Sequence, residues 1–242
     1  MGNLTQYIYG RNAVLESLET GRVLKVFLTP SFSGTDLVAR LTKQGVAIER
    51  KENDWIAARV GPRHQGIAAL IKAYEFTPLE AILKQADQAP YPLLVVLDSI
   101  QDPQNFGAII RNADAFGAHG LVVKKDRQVG LTNVVVKVSS GAIAHVPVAQ
   151  VTNLSQLIKQ LKTAGYWIVS SALQEAIDYR NFDYRRKIAL IVGSEGDGIA
   201  ELVRRNSDVV VKIPMTGKIN SINASAATAV LLAEIQSQRF PR

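Results

Sequence analysis

An α/β protein built on a parallel sheet, with a smaller α/β unit ahead of it, is the architecture this 242-residue sequence predicts. Three observations carry that prediction. From residue 93 onward, short apolar runs recur between segments of helical periodicity, and continuous apolar strands of this kind fit a sheet covered on both faces. The first third alternates helix and strand patterns on a shorter scale, then breaks at a polar, proline-bearing stretch. A hydrophobic content of 47% over this length is enough to bury a sizeable core.

Residues 11–20 carry Val14, Leu15 and Leu18 at helical spacing and stop at Gly21, a residue suited to the left-handed position after a helix. Residues 23–29 read as a strand, 36–44 as a helix closed by Gly45, and 46–50 as a strand. A short helix with an Asn/Asp start follows at 53–60, then a strand at 66–72. Thr77-Pro78-Leu79-Glu80 supplies a capping residue, a proline for the first helical position and a glutamate able to reach back, so a helix should cover 79–86. These elements set a front unit at 1–75, a linker at 76–91 and a second domain at 92–242. In the second domain, strands fall at 93–98, 120–123, 166–170, 188–192 and 208–213, and helices at 106–116, 153–164, 198–204 and 224–238. No internal repeat or low-complexity segment interrupts them.

Composition removes several function classes. Without Cys there is no disulfide, thiolate-bound zinc, iron–sulfur cluster or Cys nucleophile, which suits a reducing compartment. His64, His119 and His145 form no ligand-spaced pair, so no metal site is expected. The N-terminus lacks a basic segment followed by an apolar one, and apolar runs such as residues 93–97 are too short to span a bilayer, so the expectation is a soluble, cytoplasmic protein without membrane contact. The 28 Lys and Arg against 21 Asp and Glu leave a charge of +7, which favours an anionic partner such as a nucleic acid. There is no basic tail: 10 basic and 7 acidic residues precede Pro78, and 18 and 14 follow. Clusters at Lys124-Lys125-Asp126-Arg127, Arg185-Arg186-Lys187 and Arg204-Arg205 also suit ordinary solvated surface.

Ligands of open α/β sheets gather outside the carboxyl ends of strands, and three such loops are rich in Gly, Asn, Ser and charge: residues 98–107, 193–198 and 214–225. The middle loop reads G-x-x-G-x-G, which is the wrong order for a dinucleotide fingerprint, and no phosphate-binding G-x-x-x-x-G-K-[ST] or G-x-S-x-G elbow occurs. A nucleotide-linked oxidoreductase, an NTPase and a serine hydrolase therefore lack their signals. What Gly193, Gly196 and Gly198 allow is tight turning and close approach of a ligand to bare backbone.

Asn105-Phe-Gly107-Ala-Ile-Ile-Arg111-Asn-Ala113, then Ile191-Val192-Gly193-Ser-Glu195-Gly196, then Ile213-Pro214-Met215 with Ser221-Ile222-Asn223-Ala-Ser225 resemble the three ordered motifs of the SpoU/TrmH branch of the SPOUT RNA methyltransferases. The match covers about 150 residues, each motif lying after an expected strand. Tyr9-Gly10-Arg11-Asn12-Ala13-Val14 and His64-Gln65-Gly66-Ile67 are similar to the substrate-binding extension of the RlmB-type 23S rRNA guanosine 2′-O-methyltransferases, whose relatives act on other ribosomal nucleotides and on tRNA.

The resemblance implies methyl transfer from S-adenosyl-L-methionine to a ribose 2′-hydroxyl of RNA. It also implies a homodimer and a deep trefoil knot in the C-terminal domain, which fold rules alone would not suggest. Arg111 matches the catalytic arginine, either as the group that stabilises the developing oxyanion or as a base; a guanidinium is hard to deprotonate, which favours the first role. Asn105 matches the asparagine of the first motif, and it can equally cap a helix starting at Phe106. Six positions separate Asn105 from Arg111, so cooperation needs a long reach or two subunits. Glu195 corresponds to the acid of the second motif, and Ser221 and Asn223 to the polar pair of the third, where they and Ser225 can also cap the last helix. Gly193, Ile213, Met215 and Ile222 fall where the family surrounds the cofactor. For RNA, the candidates are Arg11, Arg63, His64 and Gln65 in front and Lys124, Lys125 and Arg127 behind, and Tyr7 and Tyr9 can either stack on bases or simply pack. The competing class is a non-catalytic RNA-binding platform, which would bind no cofactor.

Overall fold

The computed structural model describes residues 5–126, 128–194, 196, 198–218 and 221–240. Two sheets organise the chain. The front sheet holds β1 (Thr5–Tyr9), β2 (Val23–Leu28), β3 (Ala47–Arg50) and β4 (Ile67–Lys72) in the order β1-β4-β2-β3. Only β2 and β3 pair in parallel; β4 runs antiparallel to both of its neighbours. α1 (Arg11–Glu19) and α2 (Thr35–Lys43) bury Val14, Leu18, Leu37 and Leu41 with Ile8, Val26 and Leu28, and α3 (Asn53–Val60) packs Ile56 on Phe27 and Ala68.

The larger sheet is parallel at every pairing. β5 (Leu93–Asp98), β6 (Gly120–Lys124), β7 (Val148–Val151), β8 (Trp167–Ser171), β9 (Ile177–Asp178), β10 (Ile188–Gly193) and β11 (Val209–Lys212) stand in the order β7-β6-β5-β10-β8-β11-β9. The six buried positions of β5 explain its unbroken apolar run: alternate residues enter opposite layers. Leu94 and Val96 join a core with α4 (Leu79–Ala86), α7 (Leu154–Thr163) and α8 (Glu201–Arg205). Val95 and Leu97 join the other, with α5 (Pro103–Ala115), α6 (Asn133–Val138) and α9 (Ala224–Arg239), and that core continues into the front unit. Segment 76–91 carries α4, whose Leu79 and Ile82 pack on the larger sheet.

Several helix starts differ from the sequence reading. α5 begins at Pro103, because Asp102 caps it by accepting from the N–H groups of Gln104 (3.0 Å) and Asn105 (3.3 Å), so Asn105 lies inside the first turn and is not the cap. Before α4 the capping box does not form: Pro78 holds the cap position and Thr77 donates its N–H to Val148 O at 2.7 Å. α8 begins at Glu201 and not at Gly198, whose φ of 67° is left-handed and whose N–H and C=O both pair with Ser194.

Candidate active site

The loops after β8, β10 and β11 converge on a cavity of about 480 Å3. It is lined by residues 171–174, by Val192, Gly193, Ser194, Gly196, Gly198 and Ile199, by Glu201 and Arg204 of α8, by Ile213 and Met215, and by Ser221, Ile222, Ala224 and Ala227 around the start of α9. Gly193, Ile213, Met215, Ile222 and Ser221, separated by up to 29 positions in sequence, thus share one wall. Gly193 is required sterically: a Cβ there would lie 2.0 Å from Gly198 O and 2.4 Å from Ile199 N. Only bare backbone lets the turn fold back on the strand.

Beside this cavity the first and third motifs meet. Asn223 donates from Nδ2 to Asn105 Oδ1 at 2.7 Å, and its own Oδ1 accepts from the N–H groups of Ser225 (2.9 Å) and Ala226 (3.3 Å), capping α9. One side chain therefore serves as the helix cap that the sequence offered and also ties the third motif to the first. Asn112 Nδ2 donates to Ser225 O at 2.9 Å and ties α5 to α9.

Arg111 is exposed on α5 and does not line the cavity of its own chain. Its charged surroundings include Glu16 of α1. Burial pushes the Glu16 carboxyl up from its ordinary value, Glu19 and Asp114 add to the rise, and His145 and Arg111 oppose it. The Glu16 carboxylate also lies over the bare Cα of Gly141, where an added Cβ would meet it at 2.1 Å. Glu195 and Arg127 lie outside the described residues.

In the front unit, Arg11, Arg63 and Gln65 are exposed. Gln65, at a left-handed φ of 56°, accepts the Arg11 N–H at 3.1 Å through Oε1, and the Arg11 guanidinium lies 4.9 Å from the Phe32 ring centroid. His64 corrects the sequence reading. It is 2% exposed and its Nδ1 accepts from the Gly66 N–H at 3.1 Å, so its ring closes a turn and is withdrawn from any RNA surface. Tyr7 packs on Phe27 and Tyr9 lies under Lys137 Nζ at 3.8 Å, so both rings serve packing. At the end of β6, Lys124 is half-buried and Lys125 exposed, the latter donating its N–H to Val151 O at 2.8 Å.

Two groups near the cavity escaped the sequence reading. Asp98, buried at the end of β5, accepts from Ala200 N–H at 2.9 Å and from the Ser99 hydroxyl at 3.1 Å. Arg204, one half of an apparent surface pair, forms part of the cavity wall, held by Glu201 at 2.9 and 3.0 Å and by Glu175 from the loop after β8. The Arg204 and Arg205 guanidinium groups hold the Glu201 carboxyl down at about 2.

A parallel sheet with its polar loops gathered into one cavity, behind a small mixed sheet, defines an α/β protein with a small-molecule site at the carboxyl ends of its strands. Residues 92–233 match the SpoU rRNA Methylase family and residues 7–77 match a family described as RNA 2′-O ribose methyltransferase substrate binding. The chain belongs to the SpoU rRNA methylase family, as its three motifs indicated. A putative TrmH family tRNA/rRNA methyltransferase of Bacillus subtilis, YacO, is 39% identical over 246 residues, covering 100% of this chain and 99% of that protein. A putative TrmH family tRNA/rRNA methyltransferase of Staphylococcus aureus strain COL is 38% identical over 237 residues, 96% of each chain. In structure, the SpoU methyltransferase AviRb from Streptomyces viridochromogenes, in complex with the cofactor AdoMet, superposes with a TM-score of 0.82 at 24% identity, over 98% of this chain and 91% of that one.

Proposed function

We propose that this chain transfers a methyl group from S-adenosyl-L-methionine to a ribose 2′-hydroxyl of RNA, with a guanosine of 23S rRNA as the first expectation, in the cytoplasm and as a homodimer. The observation that carries the reading is the cavity itself: about 480 Å3, within the range of small-molecule sites, walled by the bare backbone of the Gly193 turn and the apolar side chains of Ile213, Met215 and Ile222. Such a wall sandwiches an adenine ring and reads its edge through N–H and C=O groups. The AdoMet-bound fold relative supports the same choice of ligand. The knot implied by the motifs belongs to this reading.

S-Adenosylmethionine, when bound, supplies a sulfonium-activated methyl group. What remains for the protein is to place the ribose oxygen in line and to stabilise the charge that grows on it as its proton leaves. Asn105 and Asn223, joined beside the cavity, orient the ribose, with Ser221 on the cavity wall and Glu195 as the acid of the second motif. Arg111 stabilises the oxyanion and the adjoining phosphate with a fixed positive charge. Because it stands outside the cavity of its own chain, a second copy completes the site. Residues 1–75 recognise the RNA, with Arg11, Arg63 and Gln65 contacting an unstacked loop and Lys124, Lys125 and Arg127 its backbone.

Titration calorimetry and a tritiated-methyl assay test this reading. Arg111→Ala should abolish methyl transfer while S-adenosylmethionine affinity stays within about twofold. Retained turnover refutes the assignment, and a wild-type chain that binds no cofactor is an RNA-binding platform instead. Mapping 2′-O-methylation in a strain lacking the gene should show loss at one large-subunit guanosine; loss in tRNA moves the substrate.

A further inference from the structure

Asp98 ends an otherwise apolar strand, and its side chain is only 4% exposed. A buried carboxylate needs partners, and this one has two: Oδ2 accepts from the Ala200 N–H at 2.9 Å and Oδ1 from the Ser99 hydroxyl at 3.1 Å. Ser99 has a φ of 66°, a left-handed conformation that a non-glycine residue keeps only where its surroundings hold it. In the sheet register Asp98 stands opposite Gly193, the last residue of β10. The turn that leaves Gly193 is closed by the paired bonds of Ser194 and Gly198, gives Ser194, Gly196, Gly198 and Ile199 to the cavity, and reaches Ala200. The strand pairing fixes the first end of this turn. Its second end is fixed by a carboxylate 102 positions away in sequence.

We propose that Asp98 is a positioning residue for the cofactor cavity, holding the far end of the Gly193–Ala200 turn so that this wall is formed before a ligand enters. Asp98 does not line the cavity and acts through Ala200. A wall ordered in advance spares the ligand the cost of ordering it, so the effect falls on affinity more than on the chemical step. The inference rests on the cofactor reading above only for the choice of ligand.

The test uses the full chain with Asp98→Ala, Asp98→Asn and Ala200→Pro. The last removes the donor N–H while leaving the carboxylate, at a residue whose φ of −59° suits proline. S-Adenosylmethionine affinity and KM against kcat are read for each, and hydrogen exchange at the Ala200 amide for the wild type and the two Asp98 variants. Asp98→Ala should weaken affinity about tenfold or more, raise KM for the cofactor with kcat held within about twofold, and speed Ala200 exchange. Asp98→Asn, which keeps a carbonyl acceptor, should recover most of both losses, and Ala200→Pro should reproduce the weakened affinity. Wild-type affinity in Asp98→Ala or Ala200→Pro overturns the proposal, as does an Asp98→Asn variant no better than Asp98→Ala. Should Asp98→Ala fail to fold, the other two variants decide. Should the wild-type chain bind no S-adenosylmethionine, the cofactor reading falls, and Ala200 exchange judges the pin alone: slow in wild type and fast in Asp98→Ala supports it, the same rate in both overturns it.

Discussion

Replacing Gly193 by Ala adds one methyl group at the point where strand and turn touch. Its Cβ would lie 2.0 Å from Gly198 O, 2.1 Å from Gly198 C and 2.4 Å from Ile199 N, so the turn must retreat by about 1.4 Å to reach ordinary contact at 3.4 Å. All three neighbours are backbone, and no rotamer change relieves them. The retreat breaks the two bonds between Ser194 and Gly198, at 3.1 and 3.0 Å. Each contributes ~1 kcal/mol net, and overpacking strain adds ~1–3 kcal/mol, so a loss of about 3–5 kcal/mol is expected. The turn is also the cavity wall, so S-adenosylmethionine affinity should fall more than about tenfold. Gly196→Ala is the control: its Cβ would meet nothing within 4 Å, and stability should stay within about 0.5 kcal/mol of wild type. Urea denaturation and titration calorimetry read both variants. If Gly193→Ala unfolds together with Gly196→Ala and binds the cofactor as wild type does, the close approach of turn to strand is not what builds the cavity.

Arg239→Ala should cost about 3 kcal/mol in urea denaturation, because the buried guanidinium donates to the carbonyls of Tyr184 (3.0 Å), Tyr91 (3.0 Å) and Arg186 (2.8 Å), and each is left short of a donor. A loss under about 1 kcal/mol would show that water replaces those bonds. Glu16 gives a pH dependence whose sign follows from its environment. Its carboxyl is raised in the folded chain chiefly by burial, so the folded state holds the proton more tightly than the unfolded one. The resulting stability is full below the ordinary value of 4.5 and is lost as pH rises through the raised one. Glu16→Gln should therefore unfold at higher urea than wild type at pH 7 and lose that advantage toward pH 4; lower stability of the Gln variant at neutral pH refutes the sign.

The sequence is most legible where one physical effect dominates. β5 and α4 appear at the residues their patterns define, since a strand buried on both faces must be apolar throughout and α4 carries Leu79, Ile82 and Ala86 on one buried stripe. α6 is hidden for the opposite reason: Asn-Val-Val-Val-Lys-Val is rich in β-branched residues, and its helix is decided by packing of Val135 and Val136 against α5, with Thr132 Oγ1 accepting the Val135 N–H. β1, β7 and β9 are short, and their pairings depend on strands distant in sequence. The cofactor side of the site is legible because glycine turns and polar loops announce themselves after strands. Asp98 is concealed as the last letter of an apolar run, Arg204 looks like solvated charge until Glu175 arrives from another loop, and His64 reads as an RNA contact although its Nδ1 is spent on Gly66.

The two halves of the site are built by different means, and this follows from the order of the strands. β10 lies between β5 and β8, with Asp98 opposite Gly193 on one side and Ser170 opposite Ile191 on the other, and the cavity forms where their loops turn over the sheet. That half is set by backbone approach and register, which a one-residue slip would destroy. The other half depends on α5, whose capped first turn brings Asn105 to Asn223 while Arg111, further along, faces outward. On the proposed function, a cofactor pocket fixed by the sheet and a charged group presented on a helix surface are separable, which is why removal of the Arg111 guanidinium is expected to stop transfer and leave the cavity intact.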